Sequence, residues 1–354
     1  MSVRAAAALA AAMGIGRFVY TPILPLMTVQ AGLSSAAAAS LATANYLGYF
    51  VGALVTVVRA PSRVVNRMAL VLLVVTLAGM PLAHGMVAWF VLRLVAGVAS
   101  AVVFVAAVNA RPGWGMSGIG AGIALSGLVV LGFGQWQTAW WVAAGVAAVL
   151  TAAAWGLRPE PPKPQVVATG QRGSAKRTFA ALFASYTLEG VGYVIAATFL
   201  VAAISGPLGS SAWILVGLSA ALSPVLVTPR RHALRIALAV QAVGIALPAL
   251  VDGSALLATI LFGGTFIGVA ATALKQGTDL GFPKAAATLT AGYSAGQIIG
   301  PLVATPLLHN GYDHALLLAA GVVALAALTA PAPPSRRRAG SRTPPRTTPA
   351  ARAG

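Results

Sequence analysis

No cysteine occurs in the chain, which excludes a disulfide framework and any thiolate metal site and leaves the redox compartment unmarked. Acids are nearly as scarce, with five Asp and Glu in 354 residues, and charged residues together make up 8% of the chain. An ordinary soluble domain carries about a quarter charged residues, so there is too little polar surface here to clothe a water-soluble globule. The four histidines, His84, His232, His309 and His314, fall in or beside connections between apolar runs, so no buried metal site is expected from them. Signatures of nucleotide and hydrolytic chemistry are missing too. The sequence has no Walker motif, no H-E-x-x-H pair and no dinucleotide fingerprint, which argues against an enzyme, a bound cofactor or ATP-driven pumping by this chain alone.

What the chain has is apolar length: 58% of its residues are hydrophobic. A hydrocarbon core of about 30 Å takes roughly 20 apolar residues per helical crossing. Segments long enough to span fall near 5–29, 35–58, 66–83, 86–109, 115–133 and 138–157, and six more near 178–204, 209–228, 232–250, 254–275, 285–308 and 312–332. Between the two sets, Arg158 to Arg177 carries Pro159, Pro161, Pro162 and Pro164 and reads as a solvated linker. The expected architecture is an all-α integral membrane protein of twelve transmembrane helices in two six-helix pseudo-repeat bundles. Its parts are an N-terminal bundle (1–157), a cytoplasmic linker (158–177), a C-terminal bundle (178–332) and a disordered basic tail (333–354). Small residues in Ala5 to Ala12 would suit signal cleavage, but the apolar stretch continues through Gly14, Arg17 and Tyr20 to Met27, long enough to span rather than be removed.

Lys and Arg number 23, giving a net charge of +18, which in a soluble protein would point to nucleic acid. Here the basic residues punctuate the gaps between apolar runs, so the charge reads as topology and the partner as the lipid bilayer. Arg59, Arg63 and Arg67 lie in the second gap, Arg111 in the fourth, five basic residues in the linker, Arg230, Arg231 and Arg235 in the eighth, and Lys275 and Lys284 in the tenth. Odd-numbered gaps have none. Lys and Arg accumulate on the cytoplasmic side of short connections, so both termini are expected there, and an even number of spans agrees. Abundant Ala and the excess of Arg over Lys suggest a bacterial source and hence the inner membrane.

The two sets of segments resemble each other, as in transporters built from parallel repeats. Gly14-Ile15-Gly16-Arg17-Phe18 aligns with Gly190-Val191-Gly192-Tyr193-Val194, and Arg93-x3-Gly97 with Gly264-x3-Gly268. Glycines at 118, 120 and 122, and at 292, 296 and 300, allow close helix approach, and Pro301 and Pro306 are candidate kinks. Charged side chains within apolar spans are functional candidates by default, and there are three. At 1.5 Å per residue, Arg17 and Glu189 lie roughly 18–20 Å from the cytoplasmic side, near the midplane, and Arg93 lies in the outer half. The structural alternative for all three is an ion pair or a side chain reaching to water. Glu189, the only acid in an apolar span, is the natural proton carrier, and two arginines against one glutamate favour an anionic or carboxylate-bearing cargo. Tyr20, Asn45, Tyr46, Tyr49, Tyr186, Thr187, Tyr193, Tyr293 and Gln297 are candidate pathway residues, with interhelical hydrogen bonding or interfacial anchoring as the other reading.

The stretch Gly14 to Pro25, followed by Ala44-Asn45-Tyr46-Leu47-Gly48-Tyr49, resembles the YbfB/YjiJ-type branch of the major facilitator superfamily. Similarity continues at Gly122 to Gly127, Glu189 to Tyr193 and Gly292 to Pro301, so it spans nearly the whole chain. The resemblance implies a secondary transporter with a central cavity lined mainly by the first, fourth, seventh and tenth spans, where Arg17, Arg93 and Glu189 would then lie. The superfamily's acidic signature between the second and third spans is not present, since Arg59 to Arg67 contains no aspartate. The expected function is alternating-access transport of a small organic molecule, coupled to protons. An exporter of hydrophobic or cationic drugs, and a non-transporting sensor or scaffold, are the alternatives. The tail beyond Pro333, with six arginines, is expected to lie on anionic lipid, each basic residue contributing about 1 kcal/mol. A chain truncated at 333 should therefore insert and elute from size exclusion like the full chain; failure to insert would refute this.

Overall fold

A computed structural model describes residues 2–110, 114–159, 172–202, 208–227, 232–282, 284–310 and 312–331. Most of the expected linker, the basic tail, and Arg111, Arg230 and Arg231 lie outside the described residues. All regular structure among them is helical. The first rod begins as α1 (Ser2–Leu9), widens into a π-helical segment (Ala10–Ile15), and continues after a turn as α2 (Tyr20–Gln30). There follow α3 (Ser35–Val58), α4 (Arg63–Gly79), α5 (Met86–Ala110), α6 (Ser117–Gly132) and α7 (Trp136–Ala154). After the linker come α8 (Arg172–Ala202), α9 (Leu208–Leu226), α10 (Ala233–Leu250), α11 (Ala255–Asp279), α12 (Ala285–Ala304) and α13 (Asp313–Thr329).

A helix occupies each of the twelve segments read from the apolar runs. Among the described residues, eight of the rods are long and apolar enough to cross a membrane; Ser211–Leu226 and Asp313–Thr329 are apolar but shorter. Local chemistry sets several ends. Ser34 and Ser62 cap α3 and α4, their hydroxyls accepting from the Ala37 and Val65 amides at 3.2 Å each. α8 starts at Arg172, six residues before the expected apolar boundary, because Ala175, Lys176 and Arg177 are good helix formers that prolong the helix past its apolar part.

Basic residues close helix C-termini, where unpaired carbonyls and the negative end of the helix dipole favour a cation. Past the end of α7, Arg4 donates to Gly156 O at 3.3 Å and Arg67 to Trp155 O at 3.1 Å. Arg235 donates to Ala330 O after α13 at 2.6 Å, and Lys284 to Val58 O at the end of α3 at 3.0 Å.

Packing repeats between the N-terminal helices and the C-terminal ones. In the first set, α3 packs on α5, α4 on α5 and α7, and the first rod on α6 and α7. In the second, α9 packs on α11, α10 on α11 and α13, and α8 on α12 and α13. The paired glycines take matching places: Gly14 abuts α6 and Gly190 abuts α12, while Gly97 meets α3 and Gly268 meets α9. Between the sets, the main contacts are α6 with α9 and α3 with α12. The first of these is a seam of small residues, Gly120 lying against the Ala221 backbone and Gly217 against that of Ala124. Among the described residues, three side-chain hydrogen bonds cross between the sets: Arg17 to Gln297, Trp213 to Ser126, and Lys284 to Val58.

A Cβ at Gly120 would fall on the Ala221 backbone, whereas one at Gly145 meets nothing within 4 Å. Gly120→Val should therefore destabilise the protein by at least the ~1–3 kcal/mol typical of overpacking, read as a lower melting temperature in detergent. Gly145→Ala should leave that temperature equal or slightly higher, since alanine is favoured in helices by up to ~1 kcal/mol; equal losses in both variants would refute the seam.

Candidate functional site

The site is organised by the break in the first rod. Where the chain widens, the Gly16 and Phe18 amides donate five residues back, to Ala11 O at 2.8 Å and Met13 O at 3.1 Å. Bonds four residues back persist from the Arg17 and Val19 amides, but the carbonyls of Gly16 and Arg17 are taken by a side chain. Arg93 on α5 donates from Nη1 to Gly16 O at 3.2 Å and from Nη2 to Arg17 O at 3.1 Å. Its guanidinium lies 4.9 Å from the Tyr20 ring centroid and 5.9 Å from that of Trp140. Asn45 braces it from α3, donating to the Arg93 carbonyl at 3.1 Å, and Tyr20 is fixed by its hydroxyl to Ala38 O at 2.9 Å. Arg93, Tyr20 and Asn45 thus form one unit that holds the broken helix.

Arg17 projects from the same break into the seam between the two sets. Its guanidinium carbon lies 4.1 Å from the Tyr49 centroid, 5.3 Å from that of Tyr46 and 5.5 Å from that of Phe18, within cation–π range. Nη2 donates to Gln297 Oε1 on α12. Nε and Nη1 of Arg17, and Nε2 of Gln297, are buried donors with no partner. Arg17 and Gln297 line a cavity of about 20 Å³ together with Tyr49, Phe104, Tyr186, Phe266 and Tyr293, enough space for about one water. An aromatic shell closes around it. Tyr186 stacks on Tyr293 at 4.7 Å, Phe18 meets Trp213 and Phe266 edge-on at 6.5 Å each, and Tyr193 stacks behind on Phe266 at 4.9 Å. Trp213 Nε1 donates to Ser126 Oγ at 3.0 Å, tying α9 to α6.

Glu189 on α8 is 1% exposed, and its Oε1 accepts from Gln241 Nε2 on α10 at 3.2 Å. Its Oε2 and the Gln241 oxygen have no partner. Glu189 does not line the central cavity. Among the described residues the only ion pair is the exposed Lys275–Asp279, so Arg17 and Glu189 are not paired in this state. No group of side chains able to hold a metal occurs among them either.

Of the candidates read from sequence, Arg17, Tyr49, Tyr186, Tyr293 and Gln297 meet at the cavity, and Tyr46 flanks Arg17. Tyr193 stands one layer back, and Arg93, Tyr20 and Asn45 form the brace. Sequence reasoning missed Gln241, Trp213 and Ser126. Gln241 had a signal, as the lone amide in the otherwise apolar run of α10.

A family model described as "Uncharacterised MFS-type transporter YbfB" matches residues 9–330. Among solved structures, the human organic anion transporter MFSD10 (TETRAN) superposes with a TM-score of 0.69 at 16% identity, over 93% of this chain and 99% of that one. A point mutant of the nucleoside transporter NupG superposes with a TM-score of 0.62 at 15% identity, over 92% of this chain and 97% of that one. At such identities the likeness shows the fold alone. No curated protein matches the sequence.

Because Arg93 satisfies two buried carbonyls, Arg93→Met should lower the melting temperature of the purified protein markedly, each charged hydrogen bond being worth about 1.5–3 kcal/mol. Arg93→Lys keeps the charge but not the planar two-point reach, and should fall between. A melting temperature unchanged in Arg93→Met would show that the brace is not needed.

Proposed function

The chain belongs to the family of YbfB-type transporters of the major facilitator superfamily, and from that premise we propose that it is a secondary active transporter of a small organic anion, working by alternating access and coupled to protons. In this reading the twelve rods cross a bacterial inner membrane as two six-helix bundles, 1–157 and 178–332, with both termini cytoplasmic. The observation that carries it is Arg17: a buried cation between the two sets, with two unpartnered donors, lining a cavity that no acid among the described residues lines. Solved neighbours that carry an organic anion and a nucleoside share one fold, so the argument for cargo rests on this site. A cationic drug would meet the Arg17 charge directly, which disfavours the export of cationic drugs.

Glu189 supplies the coupling. Holding an ionised carboxylate in a buried position with one neutral amide partner is costly, so the proton stays on Glu189 while the helices enclose it and is exchanged when that part of the protein opens to water. Arg17 and Glu189 then communicate through the movement of α8 and α12, which pack on each other, rather than by touching.

The test uses purified protein in liposomes with an internal pH dye, wild type against Glu189→Gln, challenged with a panel of organic acids and cationic drugs. An organic acid should drive a pH change in the wild type that the variant abolishes. Equal responses from the two proteins to every compound would remove Glu189 as the proton carrier.

A further inference from the structure

A guanidinium can grip a carboxylate in two ways, and both use Nη2: the side-on fork pairs it with Nε, and the end-on fork with Nη1. In Arg17 this shared corner is held by Gln297 Oε1, while Nε and Nη1 stay buried without partners. A carboxamide has nearly the shape of a carboxylate without its charge. One oxygen therefore already sits where a carboxylate oxygen would, and the neighbouring donors wait for the second. Gln297 Nε2 adds a further unpartnered donor at the same spot.

Resting on the transport reading above, we propose that Gln297 is a built-in stand-in for the cargo's carboxylate, that the cargo is an apolar monocarboxylate, and that it gains Arg17 by displacing Gln297. One charge is all the site can neutralise. Arg17 is the only charged residue lining the cavity, and Arg93 is committed to the carbonyls of Gly16 and Arg17. A second carboxylate on the cargo would be buried unpaired, which is strongly unfavourable. The cavity must widen beyond its present volume of about 20 Å³ to admit such a cargo, and the rings of Phe18, Tyr49, Phe266 and Tyr293 in its lining suit an aromatic or aliphatic body. Arg17 and Gln297 belong to opposite sets of helices, so displacement also releases one of the three side-chain links between the sets. Binding and opening are joined at one atom.

The experiment measures thermal melting and binding of the full-length protein in detergent with benzoate, its neutral isostere benzamide, the dicarboxylate phthalate, and benzylammonium. Benzoate should raise the melting temperature of the wild type, and the other three should not. Gln297→Ala removes the competitor and should bind benzoate about tenfold more tightly, the equivalent of one charge-assisted hydrogen bond. Gln297→Glu places a carboxylate on the fork permanently, so this variant should melt above the wild type without ligand and give no benzoate shift. The inference is overturned by a wild type indifferent to benzoate, by phthalate or benzamide stabilising as well as benzoate does, by Gln297→Ala binding no more tightly, or by Gln297→Glu responding as the wild type does. The two readings fail separately. Transport of some panel compound in liposomes with no benzoate response in detergent sinks the role of Gln297 alone, whereas the expected benzoate pattern with no flux of any compound sinks transport alone.

Discussion

In hydrocarbon every main-chain polar group must find its partner inside the protein, because no water is there to supply one. The first rod breaks this requirement at its middle, where the π-helical segment and the turn after it leave two carbonyls outside the ladder. Arg93 restores it with two hydrogen bonds to Gly16 and Arg17. Much else follows from that closure. Held by its own carbonyl on one side, Arg17 is free to send its side chain to the other, into the seam, where Tyr46 and Tyr49 flank it and Gln297 receives it. One arginine does structural work so that the other can be left half-satisfied.

The scarcity of acids takes on a similar logic. With almost no carboxylates to pair with, four of the described basic residues, Arg4, Arg67, Arg235 and Lys284, turn to helix carbonyls, each closing the end of a rod. Cations of the kind that bias the orientation of a membrane chain here also complete helix termini. Lys284 does so across the two sets, at the place where the superfamily's acidic signature is absent.

Much of this was legible in the sequence, for reasons that can be named. Apolar runs of bilayer length bounded by Arg, Pro and Ser located the helices, because length and burial in lipid leave few alternatives. The glycines paired in the sequence, 14 with 190 and 97 with 268, take matching close approaches because contact between backbones excludes a side chain at those points. Arg17 and Glu189 stood out as charges in apolar spans. The direction of Arg93 was not legible: an arginine entering from one end of α5 gives no sign that its guanidinium reaches a neighbouring helix's main chain. Nor could the alanine-rich stretch 5–12 disclose the π widening, since alanine fits either hydrogen-bond register. Gln241 escaped because an uncharged amide in a long hydrophobic run draws less notice than an acid, although it is the sole described hydrogen-bond partner of the buried carboxyl.

The seam between α6 and α9 has a consequence for how such a molecule is balanced. Glycine and alanine backbones pressed together attract by dispersion, which has no preferred direction and falls off within about an ångström of separation. One directional latch, Trp213 to Ser126, lies in that boundary, and two more, Arg17 to Gln297 and Lys284 to Val58, join the sets elsewhere, each of a kind worth about 1 kcal/mol net when uncharged and somewhat more when charged. For two alignments of the sets that lie close in energy, a change of about 1.4 kcal/mol at one latch redistributes the population tenfold.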